Sequence, residues 1–338
     1  MANTDLLELS LVRASELIRA REISPVELTA AVLDQIERLN PTLNAFTTLA
    51  PREEALRAAR AAEEEIARNG PRSALHGIPV SVKDLIDTAG LRTTYGSGMF
   101  REHVPAEDGS MPERLRALGA VLTGKTATHE LGMGMTTNNF FYGPTRNPWN
   151  LEHVPGGSSG GAGAAAAALM GPLHVGTDGG GSIRFPAAFC GVVGHKPTLG
   201  LLSTRGQLGG TGTSYSVPGP LARSVRDAAL ASQLLAGFDP AYLYSLPHPV
   251  PDLQCDLDAG DARDVAQRDP FISVLGEQLF RCIQDAQLGG AMVQCRGFAL
   301  LHEVRILACM RPRCTCRCCV LACCIATVRM PPVPGGWV

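Results

Sequence analysis

Apolar and polar positions along the chain switch repeatedly between helical and strand periods. Ser24-Pro25-Val26-Glu27 reads as a capping box with proline in the first helical position, opening an amphipathic helix that runs to about Leu39. Arg52 to Arg68 is a charged, alanine-rich helical stretch stopped by Asn69-Gly70. Pro112 to Leu118 predicts a short helix with Gly119 as its C-terminal cap, Gly160 to Met170 another, and Ser224 caps a third that reaches Leu235. Short β-prone runs at Ala45 to Leu49, Ile78 to Val82, Ala120 to Thr123 and Leu173 to Gly176 predict strands. Alternation of this kind argues for an α/β fold, a parallel or mixed sheet flanked by helices. There is no internal repeat.

Composition narrows the function classes. At 338 residues the chain can bury a large core in one or two domains. A net charge of −2 and the lack of a basic stripe argue against nucleic acid and against an anionic membrane surface. Residues Met1 to Leu9 carry neither the basic start nor the apolar stretch of a secretory signal. The alanine-rich run after Gly161 is too broken by glycine and proline to span a bilayer. The expectation is a soluble, cytoplasmic protein.

The candidate chemistry lies in two serine-bearing glycine loops. One is Val154-Pro155-Gly156-Gly157-Ser158-Ser159-Gly160-Gly161, the other Gly176-Thr177-Asp178-Gly179-Gly180-Gly181-Ser182-Ile183-Arg184. Ser158 and Ser182 are 24 residues apart, room for a loop, a helix, a turn and a short strand. Glycine lets the backbone approach a bound group closely and aim N–H donors at it. A serine among such donors is a candidate nucleophile with an oxyanion hole beside it.

These loops, with Gly77 to Asp84, Gly143 to Asn150 and Ala188 to Gly194, resemble the amidase signature family of serine hydrolases, over about Leu9 to Pro247. The resemblance implies a twisted mixed β-sheet flanked by helices on both faces, with its C-terminal part incomplete here. It implies a Ser–Ser–Lys triad: Ser182 as nucleophile, Ser158 as the bridging serine after a cis Gly157–Ser158 bond, and Lys83 as the base. It also implies an oxyanion hole from the N–H groups of Gly179, Gly180, Gly181 and Ser182. Ser159, Asp178 and Arg184 stand beside these as supporting residues. No metal or cofactor is expected.

The residues suit that chemistry. A serine hydroxyl needs a base within hydrogen-bond reach, and Ser–Lys pairs can supply one. Lysine serves only when neutral, so its pKa must fall from about 10.4 towards 7–8, which burial achieves. Ile78 to Val82 reads as a buried strand that delivers Lys83 at its end, and activity is expected to rise with pH through the Lys83 titration. Each residue alone has a plainer reading: Lys83 as a solvated lysine, Ser158 and Ser159 as helix N-caps, Ser182 as a turn residue. Asp178 and Arg184 are either a structural pair or substrate contacts, and the sequence leaves this open. Cys190 reads as a buried small hydrophobe, and His129 and His195 as structural.

Gly119-Ala120-Val121-Leu122-Thr123-Gly124-Lys125-Thr126 matches a phosphate-loop pattern in the wrong context, because its apolar middle reads as a strand and not as the loop after one. Ten of the eleven cysteines lie at or after Cys255, and the match to the family fades near Tyr244 to Pro247. A metal site at Cys316 and Cys319 lacks a second ligand pair, and a disulfide framework lacks an export signal. The composition favours a non-native tail. The resulting divisions are an N-terminal helical segment (1–70), an amidase signature core (71–247) and a Cys-rich tail (248–338).

The expected activity is hydrolysis of a small-molecule carboxylic amide through an acyl-enzyme, with a homodimer as the assembly left open. Two rivals remain, a non-catalytic amidase-like fragment and a glutamine-hydrolysing amidotransferase subunit. Against the latter, Phe185 stands after Ser182-Ile183-Arg184, where that subunit usually carries Gln.

Overall fold

The computed structural model describes residues 3–208 and 216–247. Helices α1 (Asn3–Glu8), α2 (Leu11–Ala20) and α3 (Pro25–Leu43) lead into β1 (Phe46–Leu49), α4 (Arg52–Asn69) and β2 (Pro79–Lys83). Then come α5 (Ser110–Ala117), β3 (Val121–Thr126), the small hairpin β4 (Asn138–Asn139) and β5 (Gly143–Pro144), α6 (Gly160–Ala167) and β6 (Leu173–Asp178). The remaining elements are α7 (Arg184–Cys190), β7 (Val193–Gly194), β8 (Val217–Ala222) and α8 (Val225–Leu235).

Six strands form one mixed sheet in the order β1-β3-β2-β6-β8-β7. Strand β2 runs parallel to both β3 and β6, whereas β1, β8 and β7 are antiparallel to their neighbours. This is the mixed sheet flanked by helices that the alternating pattern predicts. Strand β2 is buried along its whole length. Its Val80 and Val82 enter the main hydrophobic cluster with Ile36, Leu173 and Val175. The two-residue pleat puts Ser81 and Lys83 on the other face. There the Ser81 hydroxyl lies 2.7 Å from His174 Nδ1. The main cluster collects side chains from Leu6 to Leu235, so the N-terminal helices share a core with the sheet.

The predicted capping box is present: the Ser24 hydroxyl accepts from Val26 and Glu27, and the Glu27 carboxylate accepts from the Ser24 N–H. Helix α3 outruns the predicted end at Leu39, continuing through Pro41 to Leu43, where Asn44 in the left-handed region closes it. Helix α6 is shorter than predicted. It ends at Ala167, and Leu169 turns the chain with φ 59°. Strand β8, which contains Pro218 and Pro220, is not among the strands predicted from the sequence. Both prolines stand in the antiparallel ladder with β6, Pro218 opposite Thr177 and Pro220 opposite Val175.

Helix α6 is made of glycine and alanine because it must approach backbone. A Cβ at Gly161 would lie 2.4 Å from both the Ala127 nitrogen and the Ala45 oxygen. With only hydrogen there, the Gly161 N–H reaches the Ala127 carbonyl at 3.1 Å. The N-terminus of α6 is thereby fixed beside the ends of β2 and β3. Among the described residues no helix is long and apolar enough to cross a membrane. The tail positions Cys316 and Cys319 lie outside the described residues.

Candidate active site

Lys83 closes strand β2 and is wholly buried. Its Nζ lies 2.7 Å from Ser158 Oγ and 2.9 Å from Thr177 Oγ1. Burial pushes the Lys83 ammonium down to about 7, and the nearby Asp178 carboxylate pulls the other way. Near neutrality the amine is therefore available as a base, with Ser158 in position to hand it a proton.

Ser158 follows a cis peptide bond from Gly157, as the resemblance implies. Its loop is held from several sides. Thr137 Oγ1 donates to the Gly156 carbonyl at 2.9 Å and accepts from the Gly160 N–H at 3.0 Å, and the His129 N–H donates to the Ser158 carbonyl at 3.2 Å. Ser159 occupies the N-cap position of α6, but its hydroxyl makes no cap. It donates to the Thr177 carbonyl at 3.0 Å and accepts the Thr177 N–H at 3.2 Å, clamping this loop to β6.

Strand β6 ends at Asp178, where the second glycine loop begins. The Asp178 carboxylate accepts the N–H groups of Gly181 at 2.7 Å and Ile183 at 3.1 Å, and a two-point contact from Arg184. Burial would raise this carboxyl, but the Arg184 hydrogen bonds, its charge and the two amides hold it below the usual range. Asp178 and Arg184 thus pair with each other across the loop. Ser182 sits partly exposed on this loop, immediately before Ile183 and α7. Its carbonyl accepts the Ser159 N–H at 3.1 Å, which ties the two serine loops together. The structure contains no hydrogen bond between the Ser182 and Ser158 hydroxyls.

Of the four amides that the resemblance implies for an oxyanion hole, one has a partner within its own loop. The Gly181 N–H donates to Asp178 Oδ1 at 2.7 Å. The amides of Gly179, Gly180 and Ser182 donate to no described residue, and Gly180 is open to solvent.

Other residues singled out in the sequence fall into plain structural roles. Lys125 is wholly buried in β3 and donates to the Ile86 carbonyl and to Thr88 Oγ1, so the phosphate-loop match is a strand, as predicted. Cys190 is buried with its thiol pushed up by burial. His195 holds Ser232 Oγ at 2.6 Å and is driven down to about 4 by burial. The sequence reading missed Thr177 and Thr137. The signal for Thr177 was the need of any buried amine for acceptors on the neighbouring strand.

The same architecture recurs in known proteins. A model of the family described as Amidase matches residues 27–263. The A subunit of the glutamyl-tRNA(Gln) amidotransferase of Carboxydothermus hydrogenoformans is 46% identical over 248 residues, covering 73% of this chain and 51% of that protein. A chain from a structure described as a vestigial protein complex, informative on the origins of an s-triazine catabolic enzyme, superimposes with a TM-score of 0.72 at 38% identity. That superposition covers 75% of this chain and 55% of the other. A bacterial aryl acylamidase superimposes with a TM-score of 0.69 at 36% identity, over 74% of this chain and 51% of its own. The chain spans about half the length of the curated relatives it matches. On a family match over most of its length, together with a sheet and a Lys–Ser contact of the kind its motifs imply, the chain belongs to the amidase signature family.

Proposed function

We propose that the protein hydrolyses carboxylic amides through an acyl-enzyme on Ser182. The observation that carries this reading is the 2.7 Å contact between Ser158 Oγ and a buried Lys83 whose pKa is about 7. In the proposed cycle Ser182 Oγ attacks the amide carbon and a C–O bond forms. Its proton moves to Ser158 as Ser158 gives its own to the Lys83 lone pair. The tetrahedral oxyanion takes hydrogen bonds from the amides of Gly179, Gly180 and Ser182. The proton returns through Ser158 to the leaving nitrogen, the C–N bond breaks, and water hydrolyses the ester.

The test is covalent labelling with a fluorophosphonate probe, which asks for a nucleophile and an oxyanion hole but little substrate fit. Labelling that disappears in Ser182→Ala supports the reading, and a folded chain that takes no label overturns it. A second reading has its own support: the first curated relatives are the A subunits of amidotransferases, at 46 and 47% identity. Phe185 weighs against it, since its ring packs over Gly181 beside Ser182 and offers no hydrogen bond to a polar acyl group. Ammonia release from glutamine that appears only with a partner subunit would decide for this second reading.

A further inference from the structure

Thr137 stands in a backbone conformation that its own side chain opposes. Its φ is 55°, in the left-handed region, where a β-branched residue is an outlier. Arg21 and Asn44, also at positive φ, close helices, whereas Thr137 ends no helix and directly precedes β4. Such a conformation persists only where the surroundings over-determine it.

The surroundings are the loop that carries Ser158. Thr137 is fully buried, and glycines make room for it. A Cβ at Gly157 would lie 2.8 Å from the Thr137 nitrogen, and one at Gly160 would lie 2.3 Å from Thr137 Oγ1. The hydroxyl joins the two ends of the loop, since it donates to the Gly156 carbonyl at 2.9 Å and accepts the Gly160 N–H at 3.0 Å. Gly160 opens α6, so its N–H has no partner within the helix. Ser159 holds the N-cap position but spends its hydroxyl on Thr177. Thr137 therefore supplies the missing acceptor from outside the helix. On its other side the Thr137 carbonyl accepts the Thr145 N–H at 3.1 Å, which anchors it to the residue after β5.

We propose that Thr137 is a positioning residue: by clasping residues 156 and 160 it fixes the Ser158 hydroxyl between them against Lys83. Valine has nearly the same shape but would leave the Gly156 carbonyl and the Gly160 N–H buried without this partner. The catalytic consequence rests on the proposed hydrolase, whereas the clasp does not.

The test compares Thr137→Val and Thr137→Ser with the parent by two readouts. Fluorophosphonate labelling of Ser182 is expected to slow at least ~10-fold in the valine variant and to return to within about 3-fold of the parent in the serine variant. The second readout is the titration of Lys83 by NMR of 13C-lysine, assigned with Lys83→Met in a chain that has three lysines. In Thr137→Val the Lys83 midpoint is expected to fall by ~1 pH, because the ammonium loses the acceptor at 2.7 Å. Lys125, bonded to Ile86 and Thr88, is the internal control, and the Asp178 charge that bears on Lys83 is the same in all three chains. In a folded valine variant, labelling at the parent rate overturns the proposal. So does a Lys83 midpoint that stays or rises, since a rise means water in a loosened site. If the valine variant does not fold, Thr137→Gly deletes the same hydroxyl at a φ that glycine accepts, with the same expectations. A parent that takes no label sinks the hydrolase alone, and the Lys83 midpoint then decides the clasp.

Discussion

Asp178 holds Arg184 through both carboxylate oxygens, Oδ1 to Nη2 at 2.8 Å and Oδ2 to Nε at 2.9 Å, across the turn that carries Ser182. The same carboxylate raises the Lys83 pKa against the effect of burial. Asp178→Asn should therefore do two separable things. Removing the charge from a buried pair is expected to cost about 3 kcal/mol in urea unfolding. The inflection in the pH profile of kcat/KM should also move below about 7, because Lys83 loses the charge that favours its protonated form. An unmoved inflection in a folded variant would separate Asp178 from the base.

Lys83 itself should set that inflection in the parent. The rate is expected to climb with pH through about 7 and to level off above it, and a rate flat from about pH 5 to 9 would refute a lysine base.

Stability should carry the same signature. The folded value of about 7 lies below the ordinary 10.5, so between those values the unfolded chain binds the extra proton. The burial penalty is absent above 10.5, grows as pH falls, and is complete below 7. Lys83→Met removes it. Relative to the parent, the variant should gain ~3 kcal/mol more at pH 6 than at pH 9 in denaturant melts, because each tenfold loss of proton affinity on folding is worth about 1.4 kcal/mol.

Thr177 is expected to be a positioning residue. Thr177→Val keeps the shape but deletes the acceptor 2.9 Å from Lys83 Nζ. The expected outcome is a loss in kcat on the order of 10-fold with KM nearly unchanged, and an inflection shifted downward. Thr177→Ser should restore both. Equal failure of the serine and valine variants would indicate a packing role only.

Gly161→Ala tests the close approach under α6. The added methyl meets two backbone atoms at 2.4 Å, which no side-chain movement relieves. A destabilisation of at least about 2 kcal/mol is expected by urea titration, against a few tenths at exposed Gly180, where nothing lies within 4 Å.

The resemblance that singles out Lys83, Ser158 and Ser182 rests on contiguous stretches, serines in glycine strings and a lysine that ends an apolar strand. Those are local signals. Thr177 stood in the same string, but its hydroxyl matters only because β6 lies beside β2. The family resemblance groups Gly181 with Gly179, Gly180 and Ser182, and its N–H on the Asp178 carboxylate is visible only in the structure. Strand β8 is not predicted from the sequence, and both its prolines stand in the ladder with β6. The pairing of Asp178 with Arg184 could not be decided from spacing, since a turn can bring two residues together or aim them apart.

Of thirty lysine and arginine side chains in the sequence, only three are lysines: Lys83, Lys125 and Lys196. The first two are wholly enclosed, and the third is half-buried with its Nζ on the Pro197 carbonyl at 3.2 Å. The exposed side-chain cations of the described surface are therefore guanidinium groups, which activated esters do not acylate. At Lys83 and Lys125, an amine-directed reagent reads out how often strands β2 and β3 come apart, because these two amines become visible only then. Coupling there would select the molecules whose catalytic strand has opened, and leave the native ones unmarked at both positions.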